Sequence, residues 1–184
     1  MADVLGMLRP ETAVLLVIDV QDRLLPSISE AEQRIEFMRR MIEAAKVLEL
    51  PIVVTEQYPA GLGRTCVALQ QCLEDRPVIE KMRFSACEQP LIDRLAELDR
   101  PQVIVIGIEA HVCVQQTTLD LLRRGYTVYV CADAVGSRRP LDAAAALERM
   151  RQAGAIITTT ESATFELLGR AGTEAFKKIL PIVK

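Results

Sequence analysis

Gln102–Gly125 reads Q-V-I-V-I-G-I-E-A-H-V-C-V-Q-Q-T-T-L-D-L-L-R-R-G. Val103–Ile106 is a short β-branched run, apolar enough for a strand buried on both faces. Gly107 is expected to end it. From Val112 onward, Val114, Leu119, Leu121 and Leu122 are spaced for one broad helical face, and Gly125 stops the helix. Cys113 is thereby predicted in the first turn of a helix that follows directly from a buried strand. The unpaired N–H groups and partial positive charge of a helix N-terminus favour thiolate over thiol, so this position predicts a lowered Cys113 pKa. The same N–H groups can hold an oxyanion. The plainer reading is a small apolar Cys packing helix against sheet, and this stretch alone leaves both open.

Outward from this stretch, strands alternate with helices. Ala13–Ile18 (A-V-L-L-V-I) is a buried strand followed at once by Asp19. Gln33–Leu48 has helical periodicity. Ile52–Thr55 is a second strand, followed by the Gly/Pro-punctuated loop E-Q-Y-P-A-G-L-G. Val67–Leu73 is a short helix, and Val78–Ile79 a short strand leading to Lys81. Gln89–Leu98 is helical. Beyond the central stretch come a strand over Thr127–Cys131, an Ala-rich helix over Leu141–Gln152, a strand over Ala155–Thr159, and helices over Ser162–Leu168 and Thr173–Leu180. Such alternation predicts an α/β fold with a parallel sheet covered on both faces. There is no internal repeat or linker, and 184 residues suit a single domain over 1–184.

Composition narrows the function. The net charge is −3 with both signs mixed along the chain, and no basic stripe points to nucleic acid. No apolar run approaches the ~20 residues of a membrane span. The first ten residues lack the pattern of a signal peptide. Five widely spaced cysteines without a C-x-x-C pair suit a reducing compartment, hence a cytoplasmic location. A single histidine, His111, excludes any site that needs two imidazoles.

Asp19, Lys81 and Cys113 each fall at or just past the carboxyl end of a predicted strand. In a parallel sheet those ends share one edge, so three residues far apart in sequence can converge. A carboxylate can take the thiol proton, and an ammonium can hold the carboxylate and favour the thiolate. Each also has a bland reading: Asp as a turn residue, Lys as a solvated strand end. Gln57, Tyr58, Arg83 and Phe84 follow strand ends and are candidate substrate contacts, with ordinary loop packing as the alternative.

The motifs L-L-V-I-D-V-Q around Asp19, V-I-E-K around Lys81 and G-I-E-A-H-V-C-V around Cys113 resemble the isochorismatase-like cysteine hydrolase superfamily. T-E-Q-Y-P-A-G-L-G, K-M-R-F-S-A-C and E-A-H-V-C-V-Q-Q-T-T-L-D-L resemble its isochorismatase domain-containing proteins of unassigned substrate. The similarity runs from about Thr12 to Ala163. It implies a three-layer Rossmann-like fold with a six-stranded parallel sheet, a catalytic triad of Asp19, Lys81 and Cys113, and a cis peptide between Ile108 and Glu109. It also implies an oxyanion hole from the backbone N–H groups of Glu109 and Cys113, and a homo-oligomer whose subunits complete each other's sites. Nicotinamidases in this superfamily bind metal through an Asp-x-His segment. Glu56-Gln57-Tyr58-Pro59 stands there in this chain, with Tyr58 in place of a histidine, so no metal is expected. Isochorismatases proper lack this nucleophilic Cys.

The sequence thus reads as a metal- and cofactor-independent cysteine hydrolase of a small amide or related C–N substrate, acting through a thioester. A redox-responsive thiol protein and a non-catalytic protein retaining the fold are the alternatives. The side-chain roles of Glu109 and His111 stay open between substrate contact or proton relay and none.

Overall fold

The computed structural model describes residues 6–74 and 76–184. Its centre is β1 (Ala13–Ile18), wholly buried and flanked on one side by β2 (Ile52–Gln57) and on the other by β4 (Gln102–Ile108). β3 (Val78–Lys81) pairs outside β2; β5 (Thr127–Gly136) and β6 (Ile156–Thr158) continue outward from β4. The six strands form one parallel sheet in the order β3-β2-β1-β4-β5-β6.

Alternation along β1 splits the core in two. Leu15 and Val17 face one side with Met38, Met41 and Ile42 of α1 (Ala31–Val47), Leu69 of α3 (Val67–Leu73) and Leu167 of α7 (Thr160–Leu168). Val14, Leu16 and Ile18 face the other with Leu91 and Leu95 of α4 (Gln89–Leu98), Leu121 of α5 (Gln115–Arg123) and Met150 of α6 (Pro140–Gln152). A period of two on a sheet covered on both faces makes every position of its central strands apolar, which is why β1 and residues 103–106 of β4 read as unbroken apolar runs. At about 1.5–3 kcal/mol per fully buried aliphatic side chain, these two layers are the main favourable contribution to folding. Among the described residues, α2 (Pro59–Leu62) and α8 (Glu174–Val183) complete the α-helices.

Strand order positions the site. The chain builds β1, β2 and β3 in one direction, then returns to lay β4 against the free edge of β1. Crossovers diverge there, and a crevice opens at the carboxyl ends of β1 and β4. Asp19 leaves the end of β1, and the segment with Cys113 leaves the end of β4.

Three local expectations are corrected. β4 passes through Gly107 instead of ending at it. Gly107 has φ +134°, and a Cβ there would stand 2.1 Å from the Ile18 carbonyl oxygen, so glycine lets the strand continue beside β1. β5 extends to Gly136, past the expected end at Cys131. Its register with β4 moves from Val105–Val130 to Gly107–Val135, so the extra residues form a bulge that short apolar periodicity does not reveal. Part of the loop after β2 closes into the single helical turn α2.

Candidate active site

Three strand ends meet at this crevice. Asp19 sits one residue past β1 with φ +52°, a left-handed conformation that the short Asp side chain tolerates. Its side chain is fully buried. Thr55, paired in register with Ile18, donates its hydroxyl to Asp19 Oδ1 at 2.7 Å. Lys81, the last residue of β3, donates from Nζ to Asp19 Oδ2 at 2.6 Å, and its side chain is 1% exposed. A buried pair like this persists only when further hydrogen bonds satisfy the remaining protons and lone pairs. Lys81 meets that condition: Nζ also donates to Gln57 Oε1 at 2.8 Å, Phe84 O at 3.1 Å and Arg83 O at 3.2 Å.

Cys113 is 6% exposed, and the charges of Asp19 and Lys81 both bear on its thiol. Burial pushes the thiol far above its usual range, the Asp19 carboxylate adds to the rise, and Lys81 opposes it. The expected lowering of the Cys113 pKa is therefore overturned. Cys113 also does not open an α-helix: it is the fourth residue of a wide π-type turn, Ala110–Val114, that runs into α5. Desolvation in this crevice outweighs the nearby ammonium. This environment favours the protonated thiol over the thiolate.

The Ile108–Glu109 peptide is cis. The Glu109 carbonyl accepts from the N–H groups of Val112 and Val114, which shapes the turn. The Glu109 side chain accepts from Arg138 Nε at 2.9 Å, and His111 Nδ1 stands 2.9 Å from the hydroxyl of Ser137. Both partners follow directly on β5, so the segment that carries Cys113 is tied on its far side as well.

The four candidate substrate contacts separate. Gln57 is buried with both ends of its amide engaged, Oε1 by Lys81 and Nε2 by the Met82 carbonyl at 2.7 Å. Arg83 and Phe84 reach Lys81 through backbone carbonyls, while their side chains are exposed, Phe84 to 54%. Tyr58 is 48% exposed. Beside Lys81 a cleft of about 320 Å³ opens between Pro59, Met82, Ala86 and Pro90; Cys113 is not part of its lining. Among the described residues, no group of three His, Cys, Asp or Glu side chains is placed to hold a metal ion.

Thr55, Gln21, Ser137 and Arg138 escaped the sequence reading. Gln21 had a signal, being the Q of D-V-Q: its Oε1 accepts from the Gln57 N–H at 2.8 Å and its Nε2 donates to Gln57 O at 3.0 Å. Thr55 could have been found only from strand register. Nothing local marks Ser137 or Arg138, which reach the site because β5 lies beside β4.

Comparison with known proteins assigns this architecture. The family model described as "Isochorismatase domain" matches residues 13–162, and the chain belongs to that family. A secreted isochorismatase effector, Isc1, of Phytophthora sojae is 44% identical over 98% of this chain and 88% of its own. Isochorismatase domain-containing protein 2A of Mus musculus is 40% identical over 98% and 86%. Among solved structures, the MAR1 ribonuclease of Caenorhabditis elegans superposes with a TM-score of 0.92 at 42% identity over 96% of this chain and 92% of that one. YcaC of Pseudomonas aeruginosa, solved with hexane-2,5-diol and covalent acrylamide, has a TM-score of 0.89 at 26% identity over 96% and 91%. None of the described helices is long and apolar enough to cross a membrane.

Proposed function

We propose that this protein is a single-domain, metal-independent cysteine hydrolase that cleaves a small amide or related C–N bond, with Asp19, Lys81 and Cys113 as its catalytic triad. The observation that carries this reading is the fully buried Asp19–Lys81 pair at the carboxyl end of β1, next to the end of β4 from which the buried Cys113 follows. A thiol held in its protonated form beside a buried carboxylate is arranged for proton transfer during attack. Asp19 takes the proton as Sγ bonds to the substrate carbonyl carbon, and the carbonyl electron pair moves onto oxygen. That oxyanion sits on the backbone N–H groups of Glu109 and Cys113. Collapse breaks the C–N bond, Asp19 returns the proton to the departing amine, and a thioester remains. Water, deprotonated by Asp19, then releases the acid and restores the thiol. Lys81 keeps Asp19 oriented and offsets the negative charge that moves between carboxylate and sulfur.

The redox reading fares worse, because oxidation-sensing thiols are accessible and low in pKa, and this one is neither. The covalent acrylamide in the P. aeruginosa relative, itself an amide, fits a reactive group and a small substrate. The cleft beside Lys81 is of small-molecule size. Exposed Met82 in its lining, and exposed Tyr58 and Phe84 close to it along the chain, suit a homo-oligomer in which a neighbouring subunit closes the site. Five unpaired thiols suit a reducing, cytoplasmic setting.

The test is a screen of small primary and secondary amides for released ammonia or amine, using wild type, Cys113→Ala and Asp19→Asn, with intact-mass detection of the thioester. An RNA substrate belongs in the same screen because of the C. elegans relative's name. Turnover in wild type that disappears in both variants is expected. Amide turnover unaffected by Cys113→Ala, or RNA cleavage without amide turnover, would overturn the proposal.

A further inference from the structure

We propose that Gln57 is a positioning residue that holds Lys81 as an oriented ammonium toward Asp19 and Cys113, and that it does not contact substrate. The amide has one way to sit. Nε2 donates to the Met82 carbonyl at 2.7 Å, and a carbonyl can only accept. Oε1 must therefore face Lys81 Nζ, where it accepts at 2.8 Å. The reversed amide would set NH2 against an ammonium and oxygen against oxygen.

The backbone on either side is held as firmly. Gln21 takes both the N–H and the carbonyl of Gln57, and its Nε2 also reaches Gly63 O at 2.6 Å. Asp19, two residues before Gln21, carries the carboxylate that Lys81 meets. One short chain of contacts, Gln21–Gln57–Lys81–Asp19, thus closes on itself across β1, β2 and β3. Each polar atom of the Gln57 side chain has a protein partner and the residue is buried, which favours a role within the cluster over contact with substrate.

The choice of a neutral acceptor has a physical reason. Asp19 already balances Lys81, so an amide oxygen adds orientation without net charge. A carboxylate at position 57 would compete with Asp19 for the ammonium and leave the cluster with an extra negative charge that opposes the thiolate. The other ionisable side chains nearby are engaged elsewhere. Glu56 and Glu80 pair with Arg64, Glu109 pairs with Arg138, and His111 contacts Ser137.

The proposal rests on Cys113 as the nucleophile, so its test reads the thiol in the absence of substrate. The pH dependence of iodoacetamide labelling at Cys113, resolved by peptide mass, is measured for wild type, Gln57→Leu, Gln57→Asn and Gln57→Glu. A hydrogen bond to a charged group corresponds to roughly tenfold or more in an equilibrium. Gln57→Leu should therefore slow labelling about tenfold near neutral pH and move the profile upward. Gln57→Asn keeps an amide but is one methylene too short to reach Nζ. It should behave like Gln57→Leu, and it covers the case in which leucine does not fold. Gln57→Glu should slow labelling more than either. With a hydrolysable amide, the variants should lower kcat and leave KM within about twofold. Profiles that overlay wild type, or an effect confined to KM, overturn the proposal. A shifted labelling profile in proteins that hydrolyse no amide supports the role of Gln57 and instead removes the hydrolase reading.

Discussion

Replacing Lys81 by methionine keeps most of the stem and deletes the charge, which isolates the electrostatic part of its role. Lys81 lowers the Cys113 pKa both by its charge and by hydrogen bonding, against the larger upward push of burial and the further push of Asp19. A hydrogen bond to a charged group contributes about 1.5–3 kcal/mol, and one pKa unit corresponds to about 1.4 kcal/mol. Lys81→Met should therefore raise the thiol pKa by about one to two units, slowing Cys113 alkylation at neutral pH by ~10–100-fold. Asp19→Asn removes a group that opposes ionisation, so its labelling profile should move down in pH while turnover collapses for want of a base. The two substitutions thus move one observable in opposite directions, which no general loosening of the crevice would do. Because the groups are coupled, the measured values belong to the cluster and not to Cys113 alone. Lys81→Met also leaves a buried carboxylate without its partner, at a cost of about 3–5 kcal/mol, so thermal melts must accompany the labelling. The assay is iodoacetamide labelling from pH 6 to 10 with peptide-resolved mass detection. Lys81→Met and wild-type profiles that coincide, both proteins being folded, would refute the electrostatic argument.

Alkaline stability should fall for a related reason. Burial pushes Cys72 and Cys87 to about 11 from an ordinary value of 9.0, and Cys131 and Cys113 rise as well. The unfolded chain then loses its thiol protons first, so stability is full below pH 9 and declines by about 1.4 kcal/mol per pH unit for each such thiol. Melting temperatures that stay level from pH 9 to 11 would contradict this. Gly107→Ala should unfold the protein or expel Asp19 from place, because its Cβ would meet Ile18 O at 2.1 Å where φ is +134°; a crystal structure with Asp19 unmoved and full stability would count against it. Chelation with EDTA should leave any hydrolytic activity unchanged, and elemental analysis should find no stoichiometric transition metal. One zinc or iron per chain, with activity lost on its removal, would reverse that expectation.

Much of the architecture was legible along the chain because its signals are local. Strands buried on both faces must be apolar at every position, so A-V-L-L-V-I and V-I-V-I announced themselves, and alternation with helices implied a parallel sheet. The positions of Asp19, Lys81 and Cys113 at strand ends were readable for the same reason. What tertiary structure decided lies between strands. Register set Thr55 against Asp19, and the bulge in β5 brought Ser137 and Arg138 to the segment that carries Cys113. The parallel register of β2 with β3 set Gln57, one of the candidate substrate contacts, beside Lys81 as its hydrogen-bond partner. The sign of the shift at Cys113 was the clearest case. Residues 102–125 supply a helix and its dipole, which argue for a thiolate. Desolvation is set by everything that packs over the sulfur, which no local stretch encodes, and here it prevails.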